Sequence, residues 1–211
     1  MRQILISDPT LRDGSHAIRH QLNAHQIEAY SSASEKAGIP IVEVGHGNGM
    51  GASSLLIGKS LLDDKTMLEI ARKNLNHSKL GVHVIPGFAT VKKELQLAID
   101  VGVDVFRVAC HCTEADTTQH LIDFVRNQGK EVYGALMMTH MASKEILAEE
   151  AYKMQSYGAD GVVLYDSAGA SLPAEVKEKV KELVKTLEVE VGYHAHNNLG
   201  MAIANSVSAV E

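Results

Sequence analysis

The chain has 211 residues, a length that suits one domain with a buried core. Hydrophobic residues make up 45% and charged residues 22%, the balance of an ordinary globular protein. The formal net charge of -6 leaves no basic footprint for nucleic acid, and no Lys/Arg run marks a membrane surface. The apolar stretches are strand-length, far short of the roughly 20 residues that a membrane span needs.

In chain order, short apolar runs alternate with helical periods. Gln3–Asp8 reads as the first strand, ended by the turn-like cluster Asp8-Pro9-Thr10. Ala24–Ala37 reads as the first helix, stopped by Gly38. Ile39–Gly45 is a second strand, followed by a loop rich in Gly and Ser over Gly45–Ser60. Then come helix Lys65–Asn76, strand Leu80–Ile85, helix Val91–Val101 and strand Val103–Ala109. Helix Gln119–Gln128, strand Val132–Met138, helix Lys144–Tyr157 and strand Gly161–Tyr165 follow. Helix Pro173–Leu187 has proline in its first turn. Val189–His194 is a seventh strand, and a helix starts at Met201.

The strand runs are continuously apolar, as strands buried on both faces of a parallel sheet are. Strand-then-helix repetition at this spacing predicts an α/β fold of the TIM (β/α)8-barrel type; periodicity alone also admits a doubly wound open sheet. No G-x-G-x-x-G follows the first strand, against the open-sheet alternative. Asp13, His46, His111, His140, Asp166 and His194 each follow a strand, and a barrel gathers such ends on one face. About seven βα units are present. The expectation is one TIM-barrel catalytic domain over 1–211, truncated before an eighth strand and a C-terminal region.

The chemistry concentrates at two stretches, ILISDPTLRDGSH (Ile4–His16) and YHAHNN (Tyr193–Asn198). Asp13 offers a carboxylate. His194 and His196 offer two imidazoles spaced i, i+2, which share one face of a strand. One carboxylate and two neutral imidazoles suit a divalent metal with open positions for substrate. Arg12 and His16 are then a cation and an acid/base beside it. Arg12-Asp13 read alone is more often a surface ion pair in a turn, and His196 alone an ordinary satisfied histidine; HAHNN added to Arg12-Asp13 reverses the balance toward a site. His20 and His25 read as solvent-facing; His46 and His111 lie on the expected catalytic face. Glu43 reads as pointing inward, either supporting Arg12 or the metal ligands or paired for structural reasons. Cys110 and Cys112 flank His111 at i, i+2, a poor disulfide geometry. With too short an apolar core for a secretory signal in MRQILISD, they suggest a reducing, cytoplasmic setting. No second Cys/His pair completes a structural zinc set, so both cysteines read as small core or site-lining residues. YDSAGA (Tyr165–Ala170) is not G-x-S-x-G, which speaks against Ser167 as a hydrolase nucleophile. Gly45–Gly51 lacks the G-K-[ST] ending of a phosphate loop.

LRDGSH and HAHNN also resemble the motifs of the 4-hydroxy-2-oxovalerate aldolase family. These are metal-dependent TIM-barrel aldolases related to 3-hydroxy-3-methylglutaryl-CoA lyase and isopropylmalate synthase. The resemblance continues through EVGHGNG (Glu43–Gly49), ACHCTEAD (Ala109–Asp116), LMMTHM (Leu136–Met141), YDSAGA and NNLGMAIANSVSAVE (Asn197–Glu211). It implies retro-aldol cleavage of a 4-hydroxy-2-oxo acid in aromatic-compound catabolism. It implies Asp13, His194 and His196 as ligands of Mn2+ or Mg2+, Arg12 as the enolate stabiliser and His16 as the proton acceptor. Arg12, Asp13, Ser167 and His194 would contact substrate. An acylating acetaldehyde dehydrogenase is the partner it implies. The acyl-CoA-using relatives carry Gln where this chain has His16; Gln cannot take a proton, so His16 favours the aldolase branch. The alternatives are an acyl-CoA Claisen lyase or synthase of the same barrel family, and a catalytically silent metal-binding fragment.

Overall fold

The structure is a computed structural model and describes residues 4–211. Seven strands alternate with helices, the βα repeat of a TIM-barrel-type α/β fold: β1 (Ser7–Leu11), β2 (Ile41–Val44), β3 (Lys79–Val84), β4 (Val105–His111), β5 (Glu131–Met137), β6 (Gly161–Asp166) and β7 (Glu190–Ala195). The main helices are α1 (Ala24–Ala37), α2 (Asp64–Asn74), α3 (Gln96–Val101), α4 (Gln119–Asn127), α5 (Lys144–Ser156), α6 (Pro173–Thr186) and α7 (Ala202–Val210). By contacts the chain divides into two compact units, Met1–Arg107 and Val108–Glu211.

In the first unit β1, β2 and β3 pair in parallel and in chain order. Every residue of β2 is buried, as the continuous apolar run required. Val42, Leu80, Val82 and Val84 are fully enclosed, each contributing about 1.5–3 kcal/mol by leaving water. Helix α1 begins with a reciprocal cap: Asn23 accepts from the Gln26 N–H, and the Gln26 side chain accepts from the Asn23 N–H. It ends at Gly38 in the left-handed conformation, the terminator expected from the sequence. The segment expected as helix Val91–Val101 opens with a wide turn, in which the Glu94 and Leu95 N–H groups both donate to the Thr90 carbonyl, before α3 begins.

The first strand lies later than its apolar run suggested. Ile4, Leu5 and Ile6 are exposed and outside any strand, and Gln3 falls outside the described residues. Asp8-Pro9-Thr10 is not a terminating turn; it lies inside β1, where the register shifts between Asp8 and Leu11. The cause is local. Pro9 has no N–H for a ladder, so the strand tolerates it at an irregularity. Asp8 replaces the lost order with its side chain, accepting from the Thr10 N–H at 2.9 Å and from the Tyr30 hydroxyl at 2.6 Å.

In the second unit β5, β6 and β7 pair in parallel, again in chain order. β6 is buried throughout, while β7 is only half-buried. Helix α5 is capped by the Ser143 side chain, and α6 starts at Pro173 as its sequence required. No helix among the described residues is long and apolar enough to cross a membrane.

Candidate active site

In the first unit, β1 ends at Leu11 and passes directly into a short 3-10 turn, Asp13–Ile18. This places Arg12, Asp13 and His16 just past a strand end. Arg12 is 2% exposed. Its Nε donates to Glu43 Oε2 at 3.1 Å, and its Nη1 donates to Asp13 Oδ1 at 2.9 Å and to the Gly47 carbonyl at 3.2 Å. Glu43, on β2, is 1% exposed and meets a second guanidinium through Oε1, 2.8 Å from Arg107 Nη1. The sequence left Glu43 open between a supporting and a structural role. Its bonds suit both: the buried carboxylate orients Arg12 and also pairs with Arg107. Arg107 was missed, because an arginine inside the apolar run of β4 carries no motif.

His16 is exposed, and its ring lies against Gly47 so closely that a Cβ there would stand 2.3 Å from His16 Nε2. Only glycine fits. His20, expected to face solvent, is instead buried, and its ring meets that of His16 edge-on at 4.8 Å between centroids. His20 stacks on His46 at 3.7 Å. His46 is fully enclosed: its Nδ1 accepts from the Asn48 N–H, so Nε2 carries the hydrogen donated to the Gly58 carbonyl at 3.1 Å. His46 therefore holds the loop rather than reaching a substrate. Burial, then the neighbouring imidazoles of His46 and His16, depress His20 to about 4. Burial is also the main cause that lowers His46. His25 is exposed, as expected.

In the second unit, β7 places His194 and His196 at its end with their Nε2 atoms 3.2 Å apart. His196 Nδ1 lies 2.9 Å from the Ser167 carbonyl. A carbonyl only accepts, so Nδ1 carries the hydrogen and Nε2 keeps a lone pair directed toward His194. A ligand imidazole is held in this way, its far nitrogen tied to a carbonyl and its near nitrogen unprotonated. The Tyr165 ring stacks on His194 at 4.5 Å. Gly169, at φ +58, lets the loop after β6 close on the segment after β7: a Cβ there would stand 2.6 Å from the Asn198 nitrogen. Two imidazole nitrogens this close together suit a borderline divalent cation.

Ser167 does more than its motif suggested. Its carbonyl orients His196, and its hydroxyl oxygen accepts from the Met138 N–H at 3.0 Å. Met138 is held at φ 58, a strained conformation for a non-glycine residue, and its carbonyl accepts from Cys112 Sγ. Asp166 is buried and accepts from the Ala170 and Ser171 N–H groups, shaping the same loop. His111 Nδ1 lies 2.9 Å from Thr113 Oγ1. Cys110 and Cys112 are buried free thiols. Burial pushes Cys110 up to about 12, so it behaves as an inert core residue. Two surface grooves, of about 550 and 400 Å³, are lined by other residues than the expected site residues.

The sequence pattern of the HMGL-like family matches residues 3–211. A 4-hydroxy-2-oxovalerate aldolase of Pectobacterium atrosepticum is 57% identical over 210 residues, covering 100% of this chain and 61% of that protein. A 4-hydroxy-2-oxovalerate aldolase of Spirochaeta aurantia is 56% identical over 208 residues, covering 99% and 61%. The chain thus spans about three fifths of the length of the curated relatives it matches. Among solved structures, the carboxyl transferase domain of Rhizobium etli pyruvate carboxylase, with pyruvate and biocytin, is similar in fold. Its TM-score is 0.83 at 19% identity, over 99% of this chain and 38% of that one. The N-terminal domain of a Bacteroides vulgatus protein gives a TM-score of 0.79 at 25% identity, over 95% and 67%. On the match to nearly its whole length, the chain belongs to the HMGL-like family.

Proposed function

We propose that residues 1–211 form part of a TIM-barrel catalytic domain that cleaves 4-hydroxy-2-oxopentanoate (4-hydroxy-2-oxovalerate) to pyruvate and acetaldehyde. The reaction is a divalent-metal-dependent retro-aldol cleavage, placed in the breakdown of aromatic compounds. The observation that carries the reading is the imidazole pair: two Nε2 atoms 3.2 Å apart, one fixed by the Ser167 carbonyl. The names of the relatives at 56–57% identity support it. Asp13, His194 and His196 would hold Mn2+ or Mg2+, and the cation when bound would polarise the 2-oxo acid as a Lewis acid.

The remaining roles belong to side chains. His16, exposed and held against Gly47, takes the proton from the C4 hydroxyl. The O–H electrons form the aldehyde carbonyl as C3–C4 breaks. The C3–C4 electron pair passes into the enolate of pyruvate, and a proton at C3 completes the second product. Arg12, locked by Glu43 and the Gly47 carbonyl, presents its positive charge to the oxygen that gains charge. Ser167 keeps its hydroxyl hydrogen available for substrate, since its oxygen serves Met138 as acceptor. Buried free thiols support a reducing, cytoplasmic setting. An acylating acetaldehyde dehydrogenase is the partner that would consume the aldehyde.

The test is pyruvate release from 4-hydroxy-2-oxopentanoate, with and without chelator, by the intact polypeptide and its His16→Ala variant. Release stops with chelator and returns with Mn2+. His16→Ala lowers turnover by roughly 10²–10⁴ with a smaller change in KM. Near-parental turnover in that variant excludes His16 as the base. Turnover of an acyl-CoA in place of the oxo acid moves the reading to a Claisen lyase or synthase.

A further inference from the structure

His20 is tightly placed, and the roles given so far leave it unexplained. It and Arg19 both adopt positive φ, 61 and 54, in succession. This conformation is unfavourable for non-glycine residues, so the surroundings must enforce it. The His20 N–H donates to the Ser15 carbonyl at 2.8 Å, and the His20 carbonyl accepts from the Leu61 N–H at 3.2 Å. The ring is fixed as closely as the backbone. The Gly47 N–H can only donate, and it points at His20 Nδ1 from 3.3 Å. Nδ1 therefore accepts and the ring hydrogen sits on Nε2. Ser15 Oγ lies 3.1 Å from the same nitrogen and 2.6 Å from the Arg12 carbonyl. One face of the ring is covered by His46 at 3.7 Å. Near Gly58 the fit is close enough that an added Cβ would stand 3.1 Å from His20 Cδ2.

This strained, buried imidazole meets the ring of His16 at 4.8 Å and 71°. The same Gly47 that donates to His20 Nδ1 also carries the His16 ring on its Cα. His20 and Gly47 thus form a two-sided seat for one exposed side chain. An exposed histidine without such a seat samples several rotamers. One held in place keeps its nitrogen where a substrate proton arrives, and a misplacement of about 1 Å can cost on the order of 10²-fold in rate. Burial also keeps the seat uncharged, so no second cation stands beside His16 when it takes a proton.

We propose that His20 is a positioning residue for His16: its buried ring, fixed by the Gly47 N–H and the His46 stack, holds the His16 imidazole edge-on above Gly47. The proposal rests on the reading of His16 as the proton acceptor, and it gives the strained turn at Arg19-His20 a purpose in that reaction.

The experiment compares His20→Ala, His20→Phe and His16→Ala in the intact polypeptide, measuring kcat and KM for 4-hydroxy-2-oxopentanoate and thermal unfolding of each. His20→Ala lowers kcat about 10- to 100-fold while KM stays within about threefold, because substrate contacts persist and only the base is loosened. His20→Phe, which restores an aromatic wall without the Nδ1 acceptor, recovers at least about fivefold of the lost kcat. Parental kcat in His20→Ala alongside a crippled His16→Ala overturns the positioning role and leaves His16 as the base. Equal loss in His20→Ala and His20→Phe, with KM and unfolding temperature disturbed together, also overturns it, since His20 is then only part of the core. Parental turnover in all three overturns the underlying reading of His16 instead.

Discussion

The two halves of the chain hold their candidate functional groups by opposite means. Around Arg12 the first unit relies on buried charge: one carboxylate, Glu43, lies between the guanidiniums of Arg12 and Arg107, and all three side chains are nearly sealed from water. Around His196 the second unit relies on neutral groups and backbone. One carbonyl, from Ser167, sets the imidazole, and one glycine, Gly169, lets two loops touch. The difference follows from the work each group would do. A cation that must meet developing negative charge has to stay charged and oriented in a poorly solvated place, so it needs a buried counter-ion. A metal-ligating imidazole has to stay neutral with one lone pair forward, so it needs only an acceptor behind it. The cost of failure differs too. Removing one member of a buried ion pair leaves an uncompensated charge, whereas removing a neutral ligand leaves a small void.

That contrast gives the largest expected effect. Glu43→Gln removes the charge between Arg12 and Arg107 and keeps the volume. Breaking a buried pair typically costs about 3–5 kcal/mol, a large share of the roughly 5–15 kcal/mol that a domain has. We expect Glu43→Gln to lower the denaturant midpoint accordingly, with chemical denaturation as the measurement. A variant within about 1 kcal/mol of the parent means that the network contributes little, and the contrast between the halves collapses.

Next in size is the ligand pair. His196→Ala is expected to weaken Mn2+ binding at least tenfold, about 1.4 kcal/mol, by titration calorimetry. Stability without metal is expected to change less than in Glu43→Gln, because no charge is stranded. Ser167→Ala sharpens the same comparison. It removes a hydroxyl but not the carbonyl that holds His196, so Mn2+ affinity stays within about threefold of the parent. Unchanged metal affinity in His196→Ala removes His196 from the ligand set.

How far these sites were legible in the sequence depended on whether function rested on residue type or on burial. The pairing of His194 with His196 was legible because i, i+2 spacing at a strand end puts both imidazoles on one face. Glu43 was half-legible: alternation along β2 turned it inward, but its partners sit far off in sequence, at Arg12 and Arg107. His20 was misread. Its neighbours Ile18, Arg19 and Gln21 are exposed, and nothing in a local window announces two residues of positive φ that turn its ring inward. The first strand was misplaced for a related reason. Ile4, Leu5 and Ile6 have the composition of a buried strand, yet the paired residues are Ser7 to Leu11, where the Asp8 side chain supplies order that Pro9 takes away. Glycines 47 and 169 appeared as loop residues, whereas their function is close approach, which only the folded neighbours reveal.

The smallest expected effect is a pH dependence that separates the halves. His20 is held neutral by burial, and its ordinary value of 6.5 falls to about 4. A base whose value is lowered by folding binds more protons in the unfolded chain than in the folded one between those two values. Its contribution to stability is therefore complete above about 6.5 and is lost progressively as pH falls toward about 4. Burial lowers His46 in the same direction, so the two stacked rings act together. His20→Phe keeps an aromatic ring in the stack and removes one of the two titrations. We expect the parent's unfolding temperature to fall more steeply than that of His20→Phe between pH 6.5 and 4, and the two curves to run parallel from pH 7 to 8. Parallel curves across the whole range would place the acid sensitivity outside the histidine stack, and the first unit would then owe its order near His16 to the Arg12–Glu43–Arg107 charges alone.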